Sequence, residues 1–245
     1  MLDDRIIRAA RNNAELCDAV CRAHGNPGEF HDDIWLNRKP VPRFYPNAGT
    51  LAEPSSRQLD LIDELIAARL PSRWAVKDSF SMLNLEPRGF WMLFDAEWIY
   101  LSGSRIKDFV SARTSARWEI VRDDLALAEW ESAWSRSAGS NKDRIFLTSL
   151  LENKDVAVHA GYRDGKIVAG AIANRSDGVV GWSNFFAPAA ETLDHASDSL
   201  ATIGAIFPGL PIVGYEQGED LRNARALGFE SLGPLRVWTF TGSKT

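Results

Sequence analysis

Between Asp3 and His24 apolar side chains recur three and four positions apart, at Ile6, Ile7, Ala10, Ala14, Cys17, Val20 and Cys21. That stripe predicts an amphipathic helix, which Gly25 stops. Cys17 and Cys21 fall on the stripe one turn apart, so they read as small core side chains and not as a disulfide. A polar, aromatic loop from Phe30 to Trp35 comes next, and Val41 to Leu51 reads as an extended strand interrupted by Pro42 and Pro46. Ser55 and Gln58 supply a capping box for a second helix, with Leu59, Ile62, Ile66 and Leu70 on one face and Pro71 at its close. Trp74 to Phe80 is a short strand; a helical turn and the pair Gly89-Phe90 then lead into an apolar strand from Trp91 to Leu101.

The periodicity lapses from Ser102 to Ser115, a stretch rich in Ser, Arg, Lys and Gly that reads as a linker. Beyond it, Trp118 to Val121 is a strand, and Asp123 or Asp124 caps a helix that runs to about Arg136. Gly139-Ser140-Asn141 separates that helix from a further helical turn. Val156 to Gly161, Lys166 to Ala173 and Val179 to Ala187 form a three-strand meander joined by Asp164-Gly165 and Ser176-Asp177-Gly178. A helix from about Ala189 to Phe207 carries Leu193, Ala196, Leu200, Ile203 and Phe207 on one face and ends at Pro208-Gly209. The strand Leu210 to Tyr215, a short helix from Gly218 to Leu227 and a final strand from Phe229 to Phe240 complete the chain.

An internal repeat is visible in this order. Strand, helix, strand, short helix, Gly-Phe and strand occur over Val41 to Leu101 and again over Val179 to Phe240, with Trp98 and Trp238 on the closing strands. The expected division is a first lobe over 1–112 and a second over 113–245.

The 245 residues carry 28 Lys+Arg against 33 Asp+Glu, a net charge of −5 with no basic block, which excludes a phosphate-backbone footprint and makes nucleic acid an unexpected partner. The opening Met1-Leu2-Asp3-Asp4-Arg5 is not the start of a signal peptide, and no run reaches the roughly 18 apolar residues of a membrane span. The expectation is a cytoplasmic protein without a membrane partner.

Residues 116–245 resemble the GCN5-related N-acetyltransferase (GNAT) superfamily. The likeness rests on the meander, the helix and strand after it, and the run Glu219-Asp220-Leu221-Arg222-Asn223-Ala224-Arg225-Ala226-Leu227-Gly228-Phe229-Glu230. Residues 1–112 look like a reduced copy without the meander, as in tandem members. The resemblance implies an α/β fold with a mixed, mainly antiparallel sheet flanked by helices in each lobe. It also implies acetyl-coenzyme A or another acyl-coenzyme A as co-substrate and a small amine as acceptor. Phe185, Phe186, Ala187 and Asn223 are the cofactor-binding positions it implies.

The chain departs from the family at two places. The Gly-rich stretch that cradles the coenzyme A pyrophosphate is replaced by Phe186-Ala187-Pro188-Ala189-Ala190-Glu191-Thr192-Leu193-Asp194, with no glycine and two acids in the first turns. Such acids suit the helix dipole and oppose a diphosphate. In the first lobe, Asn47-Ala48-Gly49-Thr50 is the less hostile equivalent turn. The Tyr that protonates the leaving thiolate is replaced by Ala224, and by Leu85 in the first lobe. Tyr215 is the nearest substitute acid and Glu216 the candidate base, with a core Tyr and a helix-capping Glu as the alternative reading.

Gly181-Trp182-Ser183-Asn184-Phe185 departs from a nucleophile elbow, and His31-Asp32-Asp33 lacks the spacing of a metal site, so neither hydrolase nor metal chemistry is expected. His159 and His195 read as structural. The expectation is an acyl-coenzyme A dependent N-acyltransferase; the alternative is a catalytically silent GNAT-like binding protein.

Overall fold

Asp3 opens the first helix by accepting the Arg5 N–H on its carboxylate, and α1 (Asp4–Ala23) buries the expected stripe, Cys17 and Cys21 included. The computed structural model describes residues 2–70, 73–109, 114–138 and 143–240. Pro71, Gly139, Ser140 and Asn141, to which the sequence assigned boundary roles, lie outside the described residues, as do residues 110–113 of the expected linker. The chain forms two compact units, Met1–Trp98 with Leu232–Thr245, and Ile99–Ser231. They do not coincide with a division at 112/113.

In the first unit, β1 (Glu29–Phe30) and β2 (Ile34–Leu36) make a short hairpin where a polar loop was expected; Ile34, Trp35 and Leu36 are all buried. Trp35 donates to Asp18, a contact that a local reading does not see. Of the expected strand Val41 to Leu51 only β3 (Ala48–Thr50) forms, because prolines at 42 and 46 withhold ladder donors from the residues before it. The capping box is present on α2 (Ser56–Ala67). Its buried face is Leu61, Ile62 and Leu65; Leu59, Ile66 and Leu70 pack only at the edge, a rotation of the expected stripe. Next come β4 (Trp74–Asp78), a 3-10 turn over Glu86–Arg88 and β5 (Phe90–Leu101). The strand order is β1-β2-β3-β4-β11, with β11 (Glu230–Phe240) antiparallel to β4 and β3 parallel to it.

In the second unit the expected linker is instead a packed element. Gly103–Phe109 is a 3-10 helix whose Ile106 and Phe109 are buried with Leu200 and Phe207. A Cβ on Gly103 would lie 2.4 Å from the Gly209 carbonyl oxygen, so the backbones touch here. Composition failed because a packed 3-10 segment needs only a few apolar contacts. β6 (Arg117–Ile120) and α3 (Asp124–Ala138) come next, and the Asp123 carboxylate accepts the Ala126 N–H at 2.9 Å, which decides the cap between the two acids. The meander is β7 (Val156–Arg163), β8 (Lys166–Ser176) and β9 (Val179–Phe186), antiparallel in turn. α4 (Thr192–Ile206), after a 3-10 turn over Ala189–Glu191, carries the chain to β10 (Ile212–Glu216), which runs parallel to β9. α5 (Gly218–Ala226) closes the series. Ala196, Leu200, Ile203 and Phe207 are buried as expected, whereas Leu193 is 42% exposed, because α4 has only just begun there. The architecture is mixed α/β, with helices flanking a mixed sheet.

The two Gly-Phe pairs share one local geometry. Gly89 and Gly228 both have positive φ, 85° and 91°, and the next N–H reaches back to Leu85 and Ala224 respectively. Each is a left-handed helix stop that costs a Cβ-bearing residue strain.

Candidate functional site

The strands β9 and β10 share only two rungs, Val180 with Ile212 and Gly181 with Val213. Both continue beyond them, to Phe186 and Glu216; Gly214 still lies against Trp182, where a Cβ would come within 2.9 Å of the Trp182 carbonyl oxygen, and no pairing joins the strands past it. On its other side β9 is bulged: Ser183 pairs with Ile172 and Phe186 with Gly170, so Asn184 and Phe185 together face the single Ala171 of β8, without a one-to-one partner. Asn184 takes the left-handed conformation (φ 53°), which Asn tolerates better than most side chains. A bulge re-aims the side chains beyond it. Phe185 turns to Trp182, which stacks on Phe229, while Phe186 sets its ring edge-on to Trp130 of α3. Their side chains belong to packing. The Ser183 hydroxyl is buried without a hydrogen-bond partner.

Glu216 ends β10 half-buried, with no hydrogen bond or ion pair among the described residues. Burial, and after it the nearby Asp220 carboxylate, pushes its carboxyl up to about 8. Tyr215 precedes it, and successive strand residues project to opposite faces. The two therefore leave β10 on opposite sides, Glu216 on the side of Ile212, whose side chain packs with Leu200 and Ile203 of α4. Ala187 and Asn223 are both half-buried, Asn223 on α5 beside the buried Ala224.

The turn into α4 has a feature that spacing did not reveal. Glu191 is held by both terminal nitrogens of Arg163, one at 3.1 Å, and lies 3.2 Å from His195 Nε2. The guanidinium is the first cause of the low pKa of Glu191. The buried His195 ring is held below its usual range, chiefly by desolvation. Of the two acids expected to oppose a diphosphate, Glu191 is neutralised and only Asp194 stands exposed without a partner among the described residues.

The turn that the sequence set beside it in the first unit is closed. Ala48–Thr50 is a buried strand, not the turn the sequence suggested. After the rung Gly49 with Lys77, the Ser79 N–H donates to Thr50 Oγ1 at 2.8 Å, and the Ser79 carbonyl accepts Trp98 Nε1 at 2.7 Å. At the N-terminus of α2 the capping box already takes up the Ser55 and Gln58 N–H groups.

An acyl-coenzyme A fits part of the open site. The parted strands, the unpaired bulge and the orphan Ser183 hydroxyl suit an extended amide-bearing arm. The α4 turn, with Pro188 and no glycine, is no cradle for a diphosphate. Among the described residues no three His, Cys, Asp or Glu side chains gather to hold a metal, and no helix is long and apolar enough to cross a membrane.

No protein-family model matches the chain, and no curated protein matches it by sequence. Solved structures do resemble it. A GCN5-related N-acetyltransferase from Kribbella flavida superposes with a TM-score of 0.63 at 16% identity, covering 96% of this chain and 96% of that one. A functionally unknown conserved protein from Staphylococcus epidermidis gives 0.63 at 9% identity over 88% and 93%. A GNAT-family acetyltransferase structure from Novosphingobium aromaticivorans, itself described as putative, gives 0.56 at 11% over 93% and 99%. At such identities the likeness is one of fold: the chain has the fold of GCN5-related N-acetyltransferases.

Proposed function

We propose that the second unit, residues 99–231, is an acyl-coenzyme A dependent N-acyltransferase for a small amine, working in the cytoplasm, with acetyl-coenzyme A as the simplest donor. The observation that carries this reading is the partner-free Glu216 carboxyl, held near pKa 8 at the end of the strand that parts from β9. A base acts best when its pKa lies near the working pH, since it must both take a proton and release it. Glu216 takes the proton of the attacking amine. Asp220 adds negative charge beside it and favours a cationic acceptor.

The bound donor supplies an activated acyl thioester. The backbone of Asn184 and Phe185, the Ser183 hydroxyl, Ala187 and Asn223 hold its arm. Tyr215 leaves β10 on the other side from Glu216, so the two do not act on one point. With Ala224 in place of a Tyr there is no dedicated acid. A thiol of pKa about 8.5 leaves tolerably as its anion near neutral pH, so this slows the reaction without ending it.

The α4 turn favours a second reading, a GNAT-fold protein that binds a ligand in the opening without chemistry, since Pro188 and Asp194 resist a diphosphate. Calorimetry with acetyl-coenzyme A, followed by a thiol-release assay on a panel of small amines, separates them. The enzyme reading expects binding, turnover, and a loss of about 100-fold or more in kcat for Glu216→Gln at unchanged donor affinity. Binding without turnover on any amine selects the silent reading, and no binding defeats the acyltransferase.

A further inference from the structure

A second cleft lies in the same unit, at the other end of its sheet from the parted strands. The pairings Val156 with Asn174 and Asn174 with Gly181 mark one end of the meander; Arg163 with Lys166 and Gly170 with Phe186 mark the other. The stretch of β9 unpaired with β10, Trp182 to Phe186, runs toward the second end. The cleft, of about 240 Å³, is lined at the first end by the residues around Val121, Asn153 and Val156 and by Phe207, where α4 finishes. Its apolar lining is the half-buried Ile120, Leu151 and Ile206, with Val121, Val156, Val158 and Phe207 buried behind them.

Its rim is cationic. Arg122 and Lys154 both line it, both are exposed, and neither makes a hydrogen bond or ion pair among the described residues. The acids nearby are otherwise engaged. Asp155 is bound by Arg175, Asp123 caps α3 through the Ala126 N–H, and Glu152 does not line the cleft. Two unpaired cations over an apolar floor match a molecule with a negative head and a short apolar body. The free carbonyls at the end of α4 carry only about half a negative charge, which the two rim cations outweigh. The volume equals roughly eight water molecules at about 30 Å³ each, which admits a small acid and not a peptide chain.

We infer that this cleft binds a small amphipathic carboxylate, at a site separate from the opening between β9 and β10. The carboxylate sits between Arg122 and Lys154 and the apolar body lies on Leu151 and Ile206.

The test is an amide NMR titration of the full chain with hexanoate, hexanol and inorganic phosphate. Hexanoate is expected to shift residues 121–122, 153–158 and 206–207 saturably, hexanol to bind at least tenfold more weakly, and phosphate to give no saturable shift there. The double change Arg122→Gln with Lys154→Gln, both exposed positions, is expected to weaken hexanoate at least tenfold with an unchanged thermal midpoint. Equal binding of hexanol and hexanoate, saturable binding of phosphate, or hexanoate shifts confined to other residues overturns the inference. Because no residue of the parted strands is involved, the result is independent of whether acyl-coenzyme A binds.

Discussion

Gly181 opposite Val213 is the last rung that β9 and β10 share, and beyond it nothing among the described backbone pairings rejoins the two strands. In the first unit the last rung of the parallel pair β3 and β4, Gly49 with Lys77, is succeeded at once by the bond from the Ser79 N–H to Thr50 Oγ1. The Thr50 hydroxyl thus ties the end of β3 to the chain just past β4. Thr50→Val keeps the shape and removes the acceptor, leaving a buried N–H unsatisfied. The expected loss of stability is about 1–3 kcal/mol by denaturant unfolding, with coenzyme A affinity unchanged.

Glu216 makes the fold pH-dependent in a direction opposite to most carboxylates. Below its ordinary value of 4.5 both folded and unfolded chains hold the proton, and above about 8 neither does. Between the two only the folded state holds it, so this group's contribution to stability falls as pH rises across that window. Comparing thermal midpoints from pH 5 to 9, Glu216→Gln is expected to remove part of that fall. A wild-type and variant difference that does not change with pH refutes the assignment.

Leu200 of α4 is fully buried and Leu193, two turns earlier, is 42% exposed. Leu200→Ala is expected to cost about 2–5 kcal/mol as a cavity and Leu193→Ala within about 0.5 kcal/mol of nothing. Equal effects in urea unfolding would show that the helix is rotated from this register.

The two glycine helix stops share a backbone conformation but differ in surroundings. A Cβ at Gly228 falls 2.7 Å from the Arg105 guanidinium, and at Gly89 it meets only Phe240 at 3.4 Å. Both alanine variants carry about 1 kcal/mol or more of left-handed strain. Gly228→Ala is expected to be the costlier in thermal or denaturant unfolding, as the guanidinium must also move.

Arg163 binds Glu191 in the turn where a diphosphate would approach α4. Glu191→Gln frees that cation, and Asp194→Asn removes an unpaired charge from the first turn. Each is expected to strengthen coenzyme A binding at low salt, and the gain to shrink as salt is added, because the effect is a screened charge interaction. Calorimetry at two ionic strengths measures both. A gain that persists at high salt points instead to a change of shape.

Element types and their order were legible in the chain because periodicity, capping residues and turn pairs are local signals. The capping box at Ser55 and Gln58, the meander with its Asp-Gly turns and the two Gly-Phe stops all act within a few residues of themselves. The resemblance built on that order led to the fold. The elements that local pattern misread were set by contacts distant in sequence. Trp35 is drawn into a buried strand by Asp18, and Ile106 and Phe109 turn a polar stretch into core by packing with α4. The site divides in the same way. A carboxylate at the end of β10 can be read from the chain, but its lack of a partner and its desolvation are sums over neighbours from several elements. The pairing of Arg163 with Glu191 joins residues 28 apart, and only the folded sheet brings them together, since no local spacing rule couples the end of one strand to a helix that begins two strands later.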